Sequence, residues 1–162
     1  MMKQVAVIGQ AILEDSKIYE LTVDIGRELA KNGIILICGG KGGAMEAACK
    51  GVHEKKGLSI GILPSIDPKE ANEYVKVKIP TNLGENRNYI IIQSAEAVIC
   101  IGGKTGTRME AEYSLKLNKP LITIPKSGGV SKEFSEIHKD KVYIASDSNQ
   151  VISIIKRILG IT

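Results

Sequence analysis

Residues 34–47 read IILICGGKGGAMEA, and residues 97–111 read AVICIGGKTGTRMEA. Each stretch begins with a short apolar run rich in β-branched residues, which is typical of a buried strand. Each then passes through a glycine-rich turn into a run of helical composition. A strand that leads at once into a helix, found twice in a short chain, indicates an α/β fold.

The two glycine-rich turns share the elements Gly-Gly-Lys and Met-Glu-Ala. A turn of this kind leaves backbone N–H groups free at the start of a helix, where the helix dipole also favours an anion. Two such turns therefore favour a phosphorylated small-molecule ligand. The alternative is that both are only tight turns, because glycine also supplies positive φ angles and close packing.

Strands and helices alternate outward from these two units. Apolar runs predict strands at residues 5–8, 34–38, 58–63, 74–79, 97–101, 120–124 and 142–145. Periodicity and helix stops predict helices at residues 16–32, 44–56, 84–95, 107–118 and 149–159. Residues 64–72 and 125–135 are predicted loops, and 74–79 is a predicted edge strand. The pattern predicts an α/β protein with a Rossmann-like, doubly wound, mostly parallel sheet and helices on both faces.

Gly9 and both glycine-rich turns follow predicted strands at their carboxyl ends. Doubly wound sheets bind ligands beyond these ends, near the switch in strand order. Gly9, residues 39–43 and residues 102–107 are therefore expected to face one crevice. There is no Gly-x-Gly-x-x-Gly fingerprint, and Val98 stands where a P-loop needs its first glycine. Residues 1–162 are expected to form a single nucleotide-binding domain, because no linker interrupts them.

Composition narrows the classes of partner. The 162 residues carry 22 basic and 18 acidic side chains, a net charge of +4, and acids interrupt the lysine clusters. With no tryptophan and one phenylalanine, this pattern argues against a nucleic-acid partner. The chain has three cysteines, an odd number, and no Cys-x-x-Cys pair, so no disulfide framework is predicted. The two histidines lie far apart, so no metal site is predicted either. This cysteine usage fits a reducing compartment, and a cytoplasmic location is expected. Neither a signal peptide nor a membrane span is predicted.

The second glycine-rich turn resembles a known motif. Residues 102–110, GGKTGTRME, resemble the Pro-Gly-Gly-x-Gly-Thr-x-x-Glu motif of the Lonely-guy (LOG) family of cytokinin riboside 5′-monophosphate phosphoribohydrolases. That family also has an arginine on the preceding helix, and Arg87 lies 110 − 87 = 23 residues before Glu110, as in the family. Residues 39–46 resemble the family's Gly-Gly-Gly-x-x-Gly-Leu-Met element. The resemblance implies a small phosphorylated ligand and assembly into homodimers or homotetramers.

Three positions depart from the family pattern. Lys104 replaces the second glycine of the motif, and Asn88 replaces the lysine of the usual Arg-Lys pair. Residues 9–11, Gly-Gln-Ala, stand where the family has Gly-Ser-Ser. In these respects the chain resembles a shorter sister branch that includes molybdenum-cofactor carrier proteins.

The resemblance implies a role for each residue of the site. Arg87 would clamp the substrate, and Glu110 would activate water or contact the ribose, since a carboxylate beside C1′ stabilises an oxocarbenium-like state. A 5′-phosphate would lie on the N–H groups of Gly106, Thr107 and Arg108. The predicted ligand-binding residues are Gly9, Gly39, Gly40, Gly42, Gly43, Glu46, Gly102, Gly103, Lys104, Thr105, Gly106 and Thr107.

Several of these residues also have ordinary structural explanations. Thr107 and Glu110 have the spacing of a capping box, in which the glutamate satisfies the backbone N–H of the threonine. Glu46 could complement the dipole of its helix, and Lys104 could be a solvated loop residue. The sulfur-containing residues beside the turns are expected to fill the core: Cys38, Met45, Cys100 and Met109.

Three functions of different classes follow from these observations. The first is a hydrolase that cleaves the N-glycosidic bond of a nucleoside 5′-monophosphate such as AMP, releasing base and ribose 5-phosphate without a required cofactor. The second is a non-catalytic carrier of a phosphorylated ligand, either a nucleotide or the molybdenum cofactor. The third is a nucleic-acid module, like the Rossmann domain of DNA-processing protein A, which the scattered charge disfavours.

Overall fold

A computed structural model describes residues 1–162. The strands are β1 (Gln4–Gly9), β2 (Ile35–Cys38), β3 (Ser59–Leu63), β4 (Val77–Pro80), β5 (Ala97–Ile101), β6 (Leu121–Thr123) and β7 (Tyr143–Ile144). The helices are α1 (Ser16–Lys31), α2 (Ala44–Glu54), α3 (Arg87–Ser94), α4 (Thr105–Lys116), α5 (Gly129–Ile137) and α6 (Ser148–Leu159). No helix is both long enough and apolar enough to span a bilayer.

The seven strands form one sheet in the order β4-β3-β2-β1-β5-β6-β7, and every pairing is parallel. The chain runs outward from β1 to β4 and then returns to pair β5 with β1, so the strand order switches between β1 and β5. Gly9 lies beside Ile101 at this switch. The predicted Rossmann-like α/β fold is confirmed, and the predicted edge strand, β4, is at the edge.

Apolar side chains cover both faces of the sheet. The helices α1, α2 and α6 pack on one face, and α3, α4 and α5 pack on the other. The helices α1 and α2 approach closely at Gly51, where an added Cβ would lie 1.9 Å from the Val23 carbonyl oxygen. The absence of a side chain at Gly51 allows this approach. The sheet of parallel, β-branched strands is thus the middle layer between two layers of helices.

Two helix starts have side-chain caps that the sequence supplies. The Asp15 carboxylate accepts a hydrogen bond from the Lys17 N–H at 2.8 Å and begins α1. The Asp147 carboxylate accepts one from the Gln150 N–H at 2.8 Å and begins α6. These caps satisfy N–H groups that have no partner inside the helix. The starts of α2, α3, α4 and α5 have no side-chain cap.

The prediction of a loop at residues 125–135 is wrong. A 3-10 turn, Pro125–Ser127, leads into α5, whose Val130 and Phe134 are only 1% and 2% exposed. These two residues are spaced by four and bury one apolar face of the helix. Gly128 (φ 74) and Gly129 (φ 53) make the sharp entry into α5, and the same two glycines made the segment resemble a loop.

Candidate ligand-binding site

A cavity of about 530 Å³ lies at the carboxyl ends of β1, β2 and β5, beside the strand-order switch. Of the predicted site residues, those lining it are Gly9, Gly39, Gly42, Arg87, Lys104, Gly106, Thr107 and Glu110. Those outside its lining are Gly40, Gly43, Glu46, Gly102, Gly103 and Thr105. The position agrees with the general rule for ligands of open parallel sheets.

The start of α4 presents backbone N–H groups that have no capping partner. Lys104 is the N-cap residue, and its side chain makes no capping hydrogen bond. The amides of Thr105, Gly106 and Thr107 come next, and the first amides of a helix have no partner within it. The Arg108 N–H donates to the Lys104 carbonyl at 2.9 Å. The prediction that this amide is free to bind the phosphate is therefore wrong. The open set of amides is therefore one residue earlier than the sequence indicated.

The capping-box explanation of Thr107 and Glu110 is wrong. Because α4 begins at Thr105, Thr107 is the third residue of the helix and not its cap. The Thr107 side chain instead packs over Gly103, where an added Cβ would lie 2.4 Å from the Thr107 Cβ. The Glu110 carboxylate makes no hydrogen bond and no ion pair within 4.0 Å, so it is available to a ligand.

Arg87 is a buried cation at the edge of the cavity. It is the first residue of α3, is 5% exposed, and its Nε has no hydrogen-bond partner. Nη1 donates to the Asn88 side-chain oxygen and lies 3.6 Å from a Glu85 carboxylate oxygen. A Cβ at Gly39 would lie 2.9 Å from Nη2 and 2.8 Å from the Met45 Sδ, so a larger residue at that position would displace these side-chain ends.

Glu110 is a carboxyl group that is ready to exchange a proton near neutral pH. Burial raises its pKa to about 8, the positive charge of Arg87 opposes this rise, and the negative charge of Glu85 adds to it. A carboxyl group with such a pKa holds a proton that it can donate, or loses it to act as a base.

Four polar residues that line the cavity are absent from the predicted ligand-binding residues: Gln10, Lys41, Glu85 and Asn88. Glu85, on the 3-10 turn before α3, places a carboxylate near Arg87. Asn88 accepts from Arg87 and was noted only as a departure from a family pattern. For Glu85 and Asn88, the position next to Arg87 in the sequence was the available signal, because residues at the start of one helix share a small region.

The profile of the SLOG cluster4 family matches residues 2–152 of the chain. The chain belongs to the SLOG cluster4 family. An uncharacterized protein of Archaeoglobus fulgidus is 37% identical over 123 residues, which are 76% of this chain and 80% of that protein.

Two solved structures of relatives are similar over nearly the whole chain. The molybdenum cofactor binding protein of the phototrophic bacterium Rippkaea orientalis has a TM-score of 0.89 and 32% identity, with 98% of each chain covered. The molybdenum cofactor carrier protein of Chlamydomonas reinhardtii has a TM-score of 0.82 and 29% identity, with 99% of each chain covered. These matches confirm the predicted resemblance to a branch that includes such carriers.

In this SLOG cluster4 protein the first glycine-rich turn is closed by packing. The Ala44 N–H, at the start of α2, donates to the Gln10 carbonyl at 2.9 Å. A Cβ at Gly40 would lie 2.7 Å from Leu63 Cδ2, so the turn rests on β3. Glu46 accepts a hydrogen bond from the Tyr19 hydroxyl at 3.3 Å, and burial and this carboxylate raise the pKa of Tyr19 to about 12. Glu46 is thus engaged with α1 and not with the cavity.

The second glycine-rich turn is held from behind by the start of α5. The Gly102 and Gly103 carbonyls accept from the Ser131 and Val130 N–H groups, each at 3.0 Å. The Gly102 N–H donates to the Ser127 hydroxyl at 2.8 Å. These contacts give residues 125–135 a role that the sequence did not reveal, since they fix the turn that carries the open amides.

The sulfur-containing residues follow the prediction with one exception. Cys38 and Cys100 are buried, and the Cys38 Sγ lies 3.6 Å from the Cys49 Sγ. Met45 packs partly against the core. Met109, expected to pack inward, is 55% exposed, because α4 directs it toward the gap beside α3.

Proposed function

We propose that this protein binds a phosphorylated small molecule in the cavity at the start of α4, and that it carries the molybdenum cofactor. The observation that carries the proposal is that Arg87 lines the same cavity as the uncapped start of α4. A guanidinium that is 5% exposed and has an Nε without a partner lines the same cavity as Gly106 and Thr107. Burying such a group is costly unless an anion completes its hydrogen bonds.

The phosphate would lie over the amides of Thr105, Gly106 and Thr107, where the dipole of α4 favours a dianion. Gly106 supports this placement, because an added Cβ there would meet nothing within 4 Å. The packing of the protein therefore does not require glycine at this position, whereas close approach of a ligand would. Lys104 is exposed and forms no ion pair, so its ammonium group is free to reach the same anion.

The molybdenum cofactor is the favoured cargo because it ends in a phosphate and because similar structures belong to its binding and carrier proteins. The departures at Lys104 and Asn88 from the hydrolase pattern also favour carriage over hydrolysis. A carrier needs only to bind, exclude solvent and release its cargo, and no covalent step is required of these residues.

A second function, hydrolysis of a nucleoside 5′-monophosphate, is favoured by one observation. The pKa of Glu110 is raised to about 8 in the same cavity as Arg87. In its ionised form this carboxylate could orient water toward C1′ and stabilise the positive charge that develops there. Arg87 would hold the phosphate or the ribose oxygens with its planar fork of donors.

We also propose a cytoplasmic location and assembly into homodimers or homotetramers, as the family resemblance implies. Light scattering of the purified protein checks the assembly, and a monomer at micromolar concentration would contradict it. No nucleic acid and no membrane is proposed as a partner.

Anaerobic incubation with molybdenum cofactor released from a molybdoenzyme, followed by gel filtration and a molybdenum assay, tests the main proposal. The wild-type fraction should retain molybdenum. Arg87→Ala should weaken retention by about 1.5–3 kcal/mol, roughly 10- to 150-fold. Arg27→Ala is the matched control, because Arg27 pairs with Glu54 on the outer surface of α1 and α2. Elution of molybdenum apart from the wild-type protein would overturn cofactor carriage.

The alternative is tested by chromatography of AMP after incubation with the protein. Free adenine and ribose 5-phosphate formed by the wild type, but not by Glu110→Gln, would establish the hydrolase and the role of Glu110. Unchanged AMP would remove AMP hydrolysis from consideration, though not hydrolysis of nucleotides with other bases, and would favour carriage.

A further inference from the structure

A second compartment of about 330 Å³ opens between α3 and α4, next to the main cavity. It shares Glu85, Asn88, Gly106 and Glu110 with that cavity. Its own walls are Tyr89, Met109 and Tyr113, with Asn86 and Thr105 at its rim. The polar cavity and this apolar compartment therefore meet over one stretch of α4.

The apolar walls lie outside the buried core, and of the three side chains Tyr113 packs against it. The rings of Tyr89 and Tyr113 meet edge to face, with centroids 4.8 Å apart and planes at 81°. The Gln93 side-chain amide donates to the Tyr113 hydroxyl at 2.7 Å, which fixes that ring. Tyr89 is 42% exposed and Met109 is 55% exposed, so the compartment presents apolar surface to solvent.

The junction between the two compartments is open. No atom lies within 4 Å of where a Gly106 Cβ would be, and the Glu110 carboxylate has no protein partner. A ligand could therefore extend from the α4 amides past Glu110 to the tyrosines. Asn86, at the rim, makes no side-chain hydrogen bond and offers both a donor and an acceptor.

We infer that this compartment binds a planar, fused heteroaromatic ring, which belongs to the same ligand whose phosphate lies at the start of α4. The inference rests on the proposed function, because it requires the phosphate in the main cavity. Aromatic side chains and a methionine thioether offer favourable contacts to the face and edge of such a ring. The free amide of Asn86 suits the ring nitrogens and carbonyls at its periphery.

Calorimetric titration with AMP, GMP and ribose 5-phosphate tests this inference, because these probes share a phosphorylated ribose and differ in the ring. The wild type should bind at least one nucleotide about tenfold or more tightly than ribose 5-phosphate. Tyr89→Ala and Met109→Ala should remove most of that difference and leave the ribose 5-phosphate affinity within about twofold. Both side chains are exposed, so their truncation does not open the core.

Two control variants test whether the effect depends on an aromatic ring in this compartment. Tyr89→Phe keeps the ring and should keep the preference, and Tyr143→Ala removes an aromatic ring from β7, outside both compartments. Equal affinity of the wild type for nucleotides and ribose 5-phosphate would overturn the inference and leave the phosphate site standing. Binding of none of the three probes, nor of the molybdenum cofactor, would overturn both.

The compartment could instead be covered by a second copy of the chain. Sedimentation of Met109→Arg distinguishes this outcome. A shift from oligomer to monomer with an unchanged ratio of nucleotide to ribose 5-phosphate affinity would mean that the tyrosines serve assembly, and it would overturn the inference. An unchanged sedimentation coefficient with a lost ratio would support it.

Discussion

The two glycine-rich turns are nearly alike in sequence and differ in what their helices leave open. At the first turn, the Gln10 carbonyl takes the Ala44 N–H at the start of α2. No side chain caps either helix, but at the second turn no carbonyl from elsewhere in the fold accepts from the first amides of α4, and Gly106 faces open space. A glycine-rich strand-to-helix turn is therefore an anion site only when the rest of the fold leaves its amides free, which the local sequence does not determine.

The matched glutamates differ in the same way. Both occur in a Met-Glu-Ala element one turn into a helix. Glu46 accepts from the Tyr19 hydroxyl and belongs to the packing of α1 on α2. Glu110 has no partner and lines the cavity with Arg87. The first turn thus belongs to the contact between two helices, and the second borders the candidate binding site.

The largest expected effect comes from alanine at a glycine of each turn. Gly43 has φ 62, and its Cβ would lie 2.1 Å from the Gln10 carbonyl oxygen. We expect Gly43→Ala to lower the free energy of unfolding by about 3 kcal/mol or more. Gly106→Ala should leave it unchanged or raise it by about 0.5–1 kcal/mol, since alanine suits a helix better. Urea unfolding of both variants measures the difference, and similar losses in both would erase the distinction drawn between the turns.

Much of the fold follows from local sequence. The β-branched runs before Gly39 and Gly102 specify buried strands, and a glycine or proline shortly after α1, α2, α4 and α6 specifies the ends of these helices. The α5 helix was missed because Gly128 and Gly129 conceal the spacing of Val130 and Phe134. That helix is stabilised by burial against the sheet, which is a tertiary effect.

The candidate site was predictable only in part. The family resemblance predicted that Arg87 and Glu110 belong to one site, because their spacing along the chain matches a family pattern, and both line the same cavity. The blocked amide of Ala44 was not predictable, since its partner, Gln10, comes from a different strand-helix unit. Nor was the orientation of Glu46 predictable, because it depends on how Tyr19 on α1 packs against α2.

The next effect in size, counted for one pH unit, is a pH dependence of stability that arises from Glu110 beside the second turn. The pKa of Glu110 is raised from 4.5 to about 8 by burial, so between these values the folded protein holds a proton that the unfolded chain releases. Stability should therefore fall as pH rises through this window, by up to about 1.4 kcal/mol for each pH unit.

Urea unfolding between pH 5 and pH 9 measures this dependence. Glu110→Gln should remove the slope and be the more stable protein at pH 9. Glu46→Gln, at the matched position of the first turn, retains Glu110 and should keep the slope. A slope that persists in Glu110→Gln would assign the pH dependence to another group.

The smallest effect separates the two lysines of the shared Gly-Gly-Lys element. Lys41 lies 3.8 Å from a Glu70 carboxylate oxygen, whereas Lys104 forms no ion pair and is the N-cap residue of α4. Lys104→Ala should weaken AMP binding by about 0.5–1 kcal/mol, roughly two- to fivefold, because an exposed ammonium contributes little in water. Lys41→Ala should change it less, since Glu70 already compensates that charge. Added salt should reduce the Lys104 effect, because mobile ions screen exposed charges. A larger loss in Lys41→Ala would place the anion at the first turn and reverse the roles of the two turns.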